Sequence, residues 1–330
     1  MKRSIIALGA AGVLAGSVLA GAAASASTSA SGGLTAHHVH YFPAPGASHQ
    51  VRNAGDERQG SPPLVNHGGP IMKVEKSYAI FWDPGQLQDG TPTQGIDKQY
   101  KNLIKGYFND VNGSSFYKIQ NQYSGQGQAP TKTDFTKIWV DKTPFPKNHC
   151  SYSDVGSNCF TDADLEARVV ADAKAHGITN SMSKEFFVYT PENEGSCFDS
   201  GCSAPAYEYY CAYHSNISNG GGQLIYANMP YPTVKSGRNC YISGGSQQFP
   251  SGDVNADAVI NVTSHEQMEA ITDPLGSAWW DAAGYENGDE CAWNFGTTLG
   301  DGGDVDLSGH PYGLQKEGSN NQSNCSLAAK

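Results

Sequence analysis

The chain has 330 residues, with 21 lysines and arginines against 32 aspartates and glutamates, a formal net charge of −11. So acidic a surface repels phosphate backbones and anionic headgroups, which argues against nucleic acid and membrane surfaces as partners. The eight cysteines are an even number, the mark of disulfides in an oxidising compartment and not of cytosolic thiol chemistry.

In chain order, Lys2 and Arg3, an apolar run from Ile5 to Ala22, and Ala24-Ser25-Ala26 make residues 1–26 a secretory signal. Its removal takes the charge to −13, or 19 basic against 32 acidic residues. No later run approaches the roughly 20 apolar residues of a membrane span. The expected product is therefore secreted, extracellular and monomeric. Residues 27–65, rich in Ser, Gly, Ala, Pro and His, read as a disordered linker or pro-like segment, and 66–330 as one domain. Ser77–Trp82 is a buried-strand run closed by Asp83-Pro84-Gly85. Helical spacing follows over 96–108, then a short second helix over 114–119 and an alternating strand over 135–140. Thr161 with Asp164 forms a capping box that opens a helix through Ala175, and Gly177 stops it. Core strands are expected at 185–190 and 223–230, a helix over 257–272, and strand fragments near 312–315. Strands alternating with helices predict an α/β or α+β layered protein.

The 257–272 helix carries the chemistry. It contains His265-Glu266-Gln267-Met268-Glu269, a variant of the H-E-x-x-H zinc-protease helix with Glu269 at the second histidine. At 100° per residue, Asn261, His265 and Glu269 share one face. A carboxylate oxygen binds zinc at nearly the distance of an imidazole nitrogen, so His265 and Glu269 are the expected zinc ligands. Glu266, about a quarter-turn round, is the expected general base. Pro274 ends the helix.

The acidic segment 281–290 offers the third ligand, Glu286 or Asp289; Gly284 and Gly288 predict a turn there. His214 is the best remote histidine, expected to touch the substrate or to support a metal ligand, with Tyr213, Tyr285 and Trp280 as candidate aromatics lining a substrate groove. Asp301 to Asp306 clusters carboxylates suited to calcium but misses the EF-hand spacing, and a solvated turn is the alternative. No G-x-S-x-G is present, which argues against a nucleophile-elbow hydrolase. Proximity along the chain pairs Cys150 with Cys159, Cys197 with Cys202, Cys211 with Cys240, and Cys291 with Cys325.

Several segments in order resemble the exordium, or phosphate-induced protein, family and its secreted bacterial relatives. They are His67–Met72 leading into Tyr78–Trp82, Val188–Pro191, Tyr210–Ser215, Ser264–Pro274 and Leu314–Glu317, spread over about residues 66–325. Gly318 departs from the pattern, where relatives tend to have an aromatic residue. The resemblance implies an extracellular protein with a zincin-like layered sheet under its active-site helix. Plant relatives are associated with the cell wall and have no established catalytic activity. Two functions follow as expectations: a secreted zinc metallopeptidase-like hydrolase, or a non-catalytic protein binding cell-wall glycan or another extracellular protein. In the first, the edge of the sheet pairs with an extended substrate, and Leu224–Met229 is the expected edge strand.

Overall fold

The computed structural model describes residues 40–43 as backbone and residues 63–330, apart from 126, 148–149, 151–157, 199–200, 204–209, 233–239 and 241–248. The expected signal and most of the expected linker lie outside the described residues. In chain order the elements are β1 (His40–Pro43), β2 (Val65–Asn66), β3 (Glu75–Trp82), α1 (Lys98–Val111), β4 (Thr133–Asp141), β5 (Cys159–Thr161) and α2 (Asp162–Ala175). Then come β6 (Lys184–Tyr189), β7 (Gly195–Phe198), β8 (Gly201–Cys202), β9 (Tyr210–Asn219), β10 (Gly222–Met229) and α3 (Val254–Thr272). The C-terminal part adds β11 (Trp279–Trp280), β12 (Val305–Leu307), β13 (His310–Tyr312), β14 (Glu317–Ser319) and β15 (Asn324–Ser326).

Six strands form one mixed sheet in the order β1-β9-β10-β6-β3-β4. Strands β10, β6, β3 and β4 run parallel, β9 is antiparallel to β10, and β1 is antiparallel to β9. Period-two alternation splits the side chains between two cores. Phe81, Phe187 and Ala227 pack with α1 and α3 on one face; Ile80, Phe186, Val188 and Tyr226 pack with α2 on the other. The capping box of α2 is formed, with Thr161 Oγ1 accepting from the Asp164 amide and Asp164 Oδ2 accepting from the Thr161 amide. Gly177 takes the left-handed conformation that ends α2, at φ 66°.

Two expectations are corrected. Leu224–Met229 is not an edge strand: β10 lies between β9 and β6. The cause is β9, which folds back onto β10 through Gly220-Gly221 after Asn219, at φ 56° and 83°. Two glycines at positive φ between two strands are what a two-residue primed hairpin turn requires. The expected short helix at 114–119 is a 3₁₀ turn over Tyr117–Gln122. All four expected cysteine pairs are formed.

Candidate metal centre

Helix α3 passes through the centre of the molecule, with every residue from Ala256 to Thr272 buried. A helix enclosed on all sides is ordinarily apolar. This one carries Asn261, Thr263, Ser264, His265, Glu266, Gln267 and Glu269 inside, each at 0% exposure. Burying charge costs several kcal/mol per ion unless it is paired, so these acids must be hydrogen-bonded, protonated or matched by a cation.

Four elements converge on it. The spacing along α3 puts His265 Nε2 3.0 Å from Glu269 Oε1. The 3₁₀ turn Asp289–Cys291 brings Asp289 Oδ1 to 3.7 Å from the same nitrogen. Strand β9 supplies His214, whose Nδ1 lies 3.2 Å from Glu266 Oε2 and 3.8 Å from Glu269 Oε2. Its Nε2 lies 3.4 Å from the Asp273 carbonyl and 3.9 Å from Glu286 Oε2. Glu269 therefore faces both histidines, one oxygen towards each.

The loop before Asp289 closes on the pair through Gly288. A Cβ at that position would sit 2.6 Å from His265 Nδ1 and 2.9 Å from Glu269 Oε1. The backbone there is ordinary right-handed helix, φ −70°, so glycine is required for space and not for conformation. The Asp289 amide donates to Glu269 Oε1 at 2.9 Å. Gln315, on the segment leading into β14, donates through Nε2 to His265 Nδ1 and to the Gly288 carbonyl, both at 2.9 Å. Its Oε1 accepts from the Trp293 amide. The Cys291–Cys325 bridge ties this turn to the β14–β15 hairpin.

The electrostatics are one-sided. Glu266, Glu269, Asp273, Glu286 and Glu317 are buried together, and among the described residues no lysine or arginine is buried. Burial pushes Glu269 up to about 7. Burial, reinforced by neighbouring carboxylates, holds Glu286, Asp289 and Glu317 well above the usual range. Burial lowers His214 and His265, which keeps both rings neutral and available as ligands. Neither oxygen of Glu317 accepts a hydrogen bond.

Of the residues expected at the site, His265, Glu266, Glu269, Glu286, Asp289 and His214 come together. Tyr213 does not: it alternates to the opposite face of the sheet, where its hydroxyl donates to Asp162 at 2.7 Å. Trp280 is half-buried and stacks on His67. Tyr285 is half-buried, its backbone tied in both directions to Asp281. The expected calcium loop spends Asp304 on the Gly296 and Leu314 amides and Asp306 on Gly309. Reasoning from the sequence missed Gln315, Glu317 and the packing role of Gly288. Gly318 has no room for a larger residue, because its Cβ would meet the Asn287 carbonyl at 2.9 Å.

Two groups of histidine and carboxylate ligand atoms have the dimensions of a cation site: His265, Glu269 and the half-buried Asp289, and the fully enclosed His214, Glu266 and Glu269. Two ligands about 2.0–2.1 Å from a tetrahedral zinc ion are about 3.3 Å apart. The 3.0 and 3.7 Å separations around His265 Nε2 bracket that value. The class defined by fold and site is thus a disulfide-stapled mixed α/β protein with a buried histidine–carboxylate cluster. No known protein family, no curated protein and no solved structure matches the chain.

Proposed function

We propose that the chain is a secreted, metal-dependent hydrolase of the zinc-peptidase kind. His265, Glu269 and Asp289 would hold the ion, and the observation that carries the reading is the buried acid cluster with, among the described residues, no buried lysine or arginine to offset it. A divalent cation is the simplest counter-charge for such a cluster. Bound there, it would supply Lewis-acid polarisation of a scissile carbonyl and make a water nucleophilic near neutral pH.

The remaining residues have their own work. Glu266, one position round the helix from His265, would take a proton from the attacking water. His214 hydrogen-bonds Glu266 and holds that carboxylate in one orientation. Gly288 leaves room for the His265 ring, and Gln315 packs against its Nδ1. Four disulfides support an exported protein, and the resemblance to the exordium family points to the cell exterior.

A second reading, a non-catalytic wall or extracellular binding protein, has one observation in its favour. Because Gln315 donates to His265 Nδ1, the ring proton sits on Nε2 and faces Glu269, a closed pair that needs no ion. Elemental mass spectrometry of the purified mature protein, wild type beside His265→Ala, decides between them. About one zinc per chain, lost in the variant, supports the hydrolase. Wild-type protein that takes up no zinc at neutral pH overturns it.

A further inference from the structure

Strand β9 is the rail that carries His214, and its inner side is fully paired with β10 over seven register positions, Gly222 to Asn228. Among the described strands its outer side pairs with β1, in four positions: His40 opposite His214, Tyr41 opposite Tyr213, Phe42 opposite Ala212, and Pro43 opposite Tyr210. The backbone of β1 therefore runs directly beside the histidine that touches Glu266 and lies 3.8 Å from Glu269. No other part of the sheet edge has this relation to the cluster: the opposite edge, β4, is separated from β9 by β10, β6 and β3.

The two strands differ in how firmly they are held. Strand β9 is anchored by the Cys211–Cys240 bridge and is buried from Tyr210 to Asn216. Strand β1 is four residues long, its register slips between Phe42 and Pro43, and Pro43 has no amide to donate. An antiparallel edge beside a catalytic cluster is a surface that recognises extended polypeptide through main-chain hydrogen bonds, largely without regard to sequence.

We infer that the outer edge of β9 at Cys211–His214 is the docking strand for an extended peptide substrate, and that β1 is a built-in occupant which must leave before that peptide binds. The inference rests on the hydrolase reading for the word substrate, and on strand pairing for the rest. It makes the segment around residues 40–43 an intramolecular inhibitor held by a short, irregular ladder. Such a tethered strand acts at an effective concentration that a free peptide must exceed.

The test uses the full chain and a variant, Tyr41→Pro with Phe42→Pro. Adjacent residues of a strand point their amides to opposite sides, so one of the two prolines removes a bond to β9. The probe is a fluorescent synthetic peptide copying residues 37–45, followed by anisotropy, with amide exchange read at 211–214 and zinc content measured in parallel. The variant is expected to bind the peptide about tenfold or more tighter than wild type, with faster exchange at 211–214 in the absence of peptide and renewed protection in its presence. Equal affinities together with unchanged exchange would overturn the inference and leave the hydrolase reading intact if zinc is bound. Tight capture by a variant that binds no zinc would uphold the docking edge and overturn the hydrolase reading.

Discussion

Replacing Gly288 by alanine tests the centre with one methyl group. The new Cβ would stand 2.6 Å from His265 Nδ1, about 0.8 Å inside the 3.4 Å at which ordinary contact begins. It cannot be relieved by rotating a flexible side chain. His265 is held by Gln315 and Glu269, Glu269 by the Asp289 amide, and the Gly288 carbonyl by Gln315. Either the 284–290 turn lifts or the imidazole moves, and a working site tolerates only about 0.5 Å of displacement. Overpacking of this kind costs about 1–3 kcal/mol. At about 2–4 °C per kcal/mol for a domain of this size, Tm should fall by roughly 2–12 °C. Zinc affinity should fall by about 10–100-fold, the usual penalty for disturbing the groups behind a metal ligand. Calorimetry and a zinc isotherm on wild type and Gly288→Ala measure both. A variant with wild-type Tm and wild-type affinity would show that the turn does not close on His265, and the geometry argued for the centre would fall with it.

Glu266→Gln should retain zinc while turnover drops by about 10²–10⁴-fold, which assay of metal and peptide hydrolysis on one sample can establish. Full activity would remove Glu266 from the role of base. Breaking the 34-residue bridge with Cys291→Ser and Cys325→Ser should cost about 3–4 kcal/mol and weaken zinc binding, since the bridge ties the Asp289 turn to the hairpin after Gln315. Unchanged zinc affinity in the reduced pair would mean the turn holds without it. Away from the centre, burial raises Glu194 from 4.5 to about 8. A raised carboxyl binds its proton more tightly in the folded state, so its effect on stability is absent below about pH 4.5. Stability then falls as pH rises and levels off above about 8. Glu194→Gln should thus be near neutral at pH 5 and stabilising by on the order of 3 kcal/mol at pH 8, read from denaturant midpoints. Equal effects at the two pH values would contradict the burial argument.

Much of this was legible in the sequence where the governing interactions are local. Helical periodicity placed His265 and Glu269 on one face, and α3 keeps them 3.0 Å apart. The capping box at Thr161 and the stop at Gly177 are each decided within four residues, and both are formed. The bridges join cysteines that chain proximity had already paired. The strands at Ser77–Trp82 and 185–190 announced themselves as continuous apolar runs because both of their faces are covered by helices.

What the sequence could not decide is which distant segments meet. Strand order is set by pairings between residues far apart in the chain, so β10 could be recognised as a strand without revealing that β9 would cover its edge. One residue of alternation sends Tyr213 to Asp162 and His214 to Glu266 on opposite faces, a difference that appears only once the register is fixed. Gln315 and Asp289 reach His265 through segments folded back against α3, so the acidic segment could be read as a ligand source without revealing that Asp289 is the one that meets His265 Nε2. The sequence by itself determined the elements and the helix that carries two of the proposed ligands, because backbone propensity and side-chain periodicity act over a turn or two. Only the tertiary structure decided that two histidines and a group of acids share one enclosed space with no buried lysine or arginine among the described residues, because that depends on long-range packing.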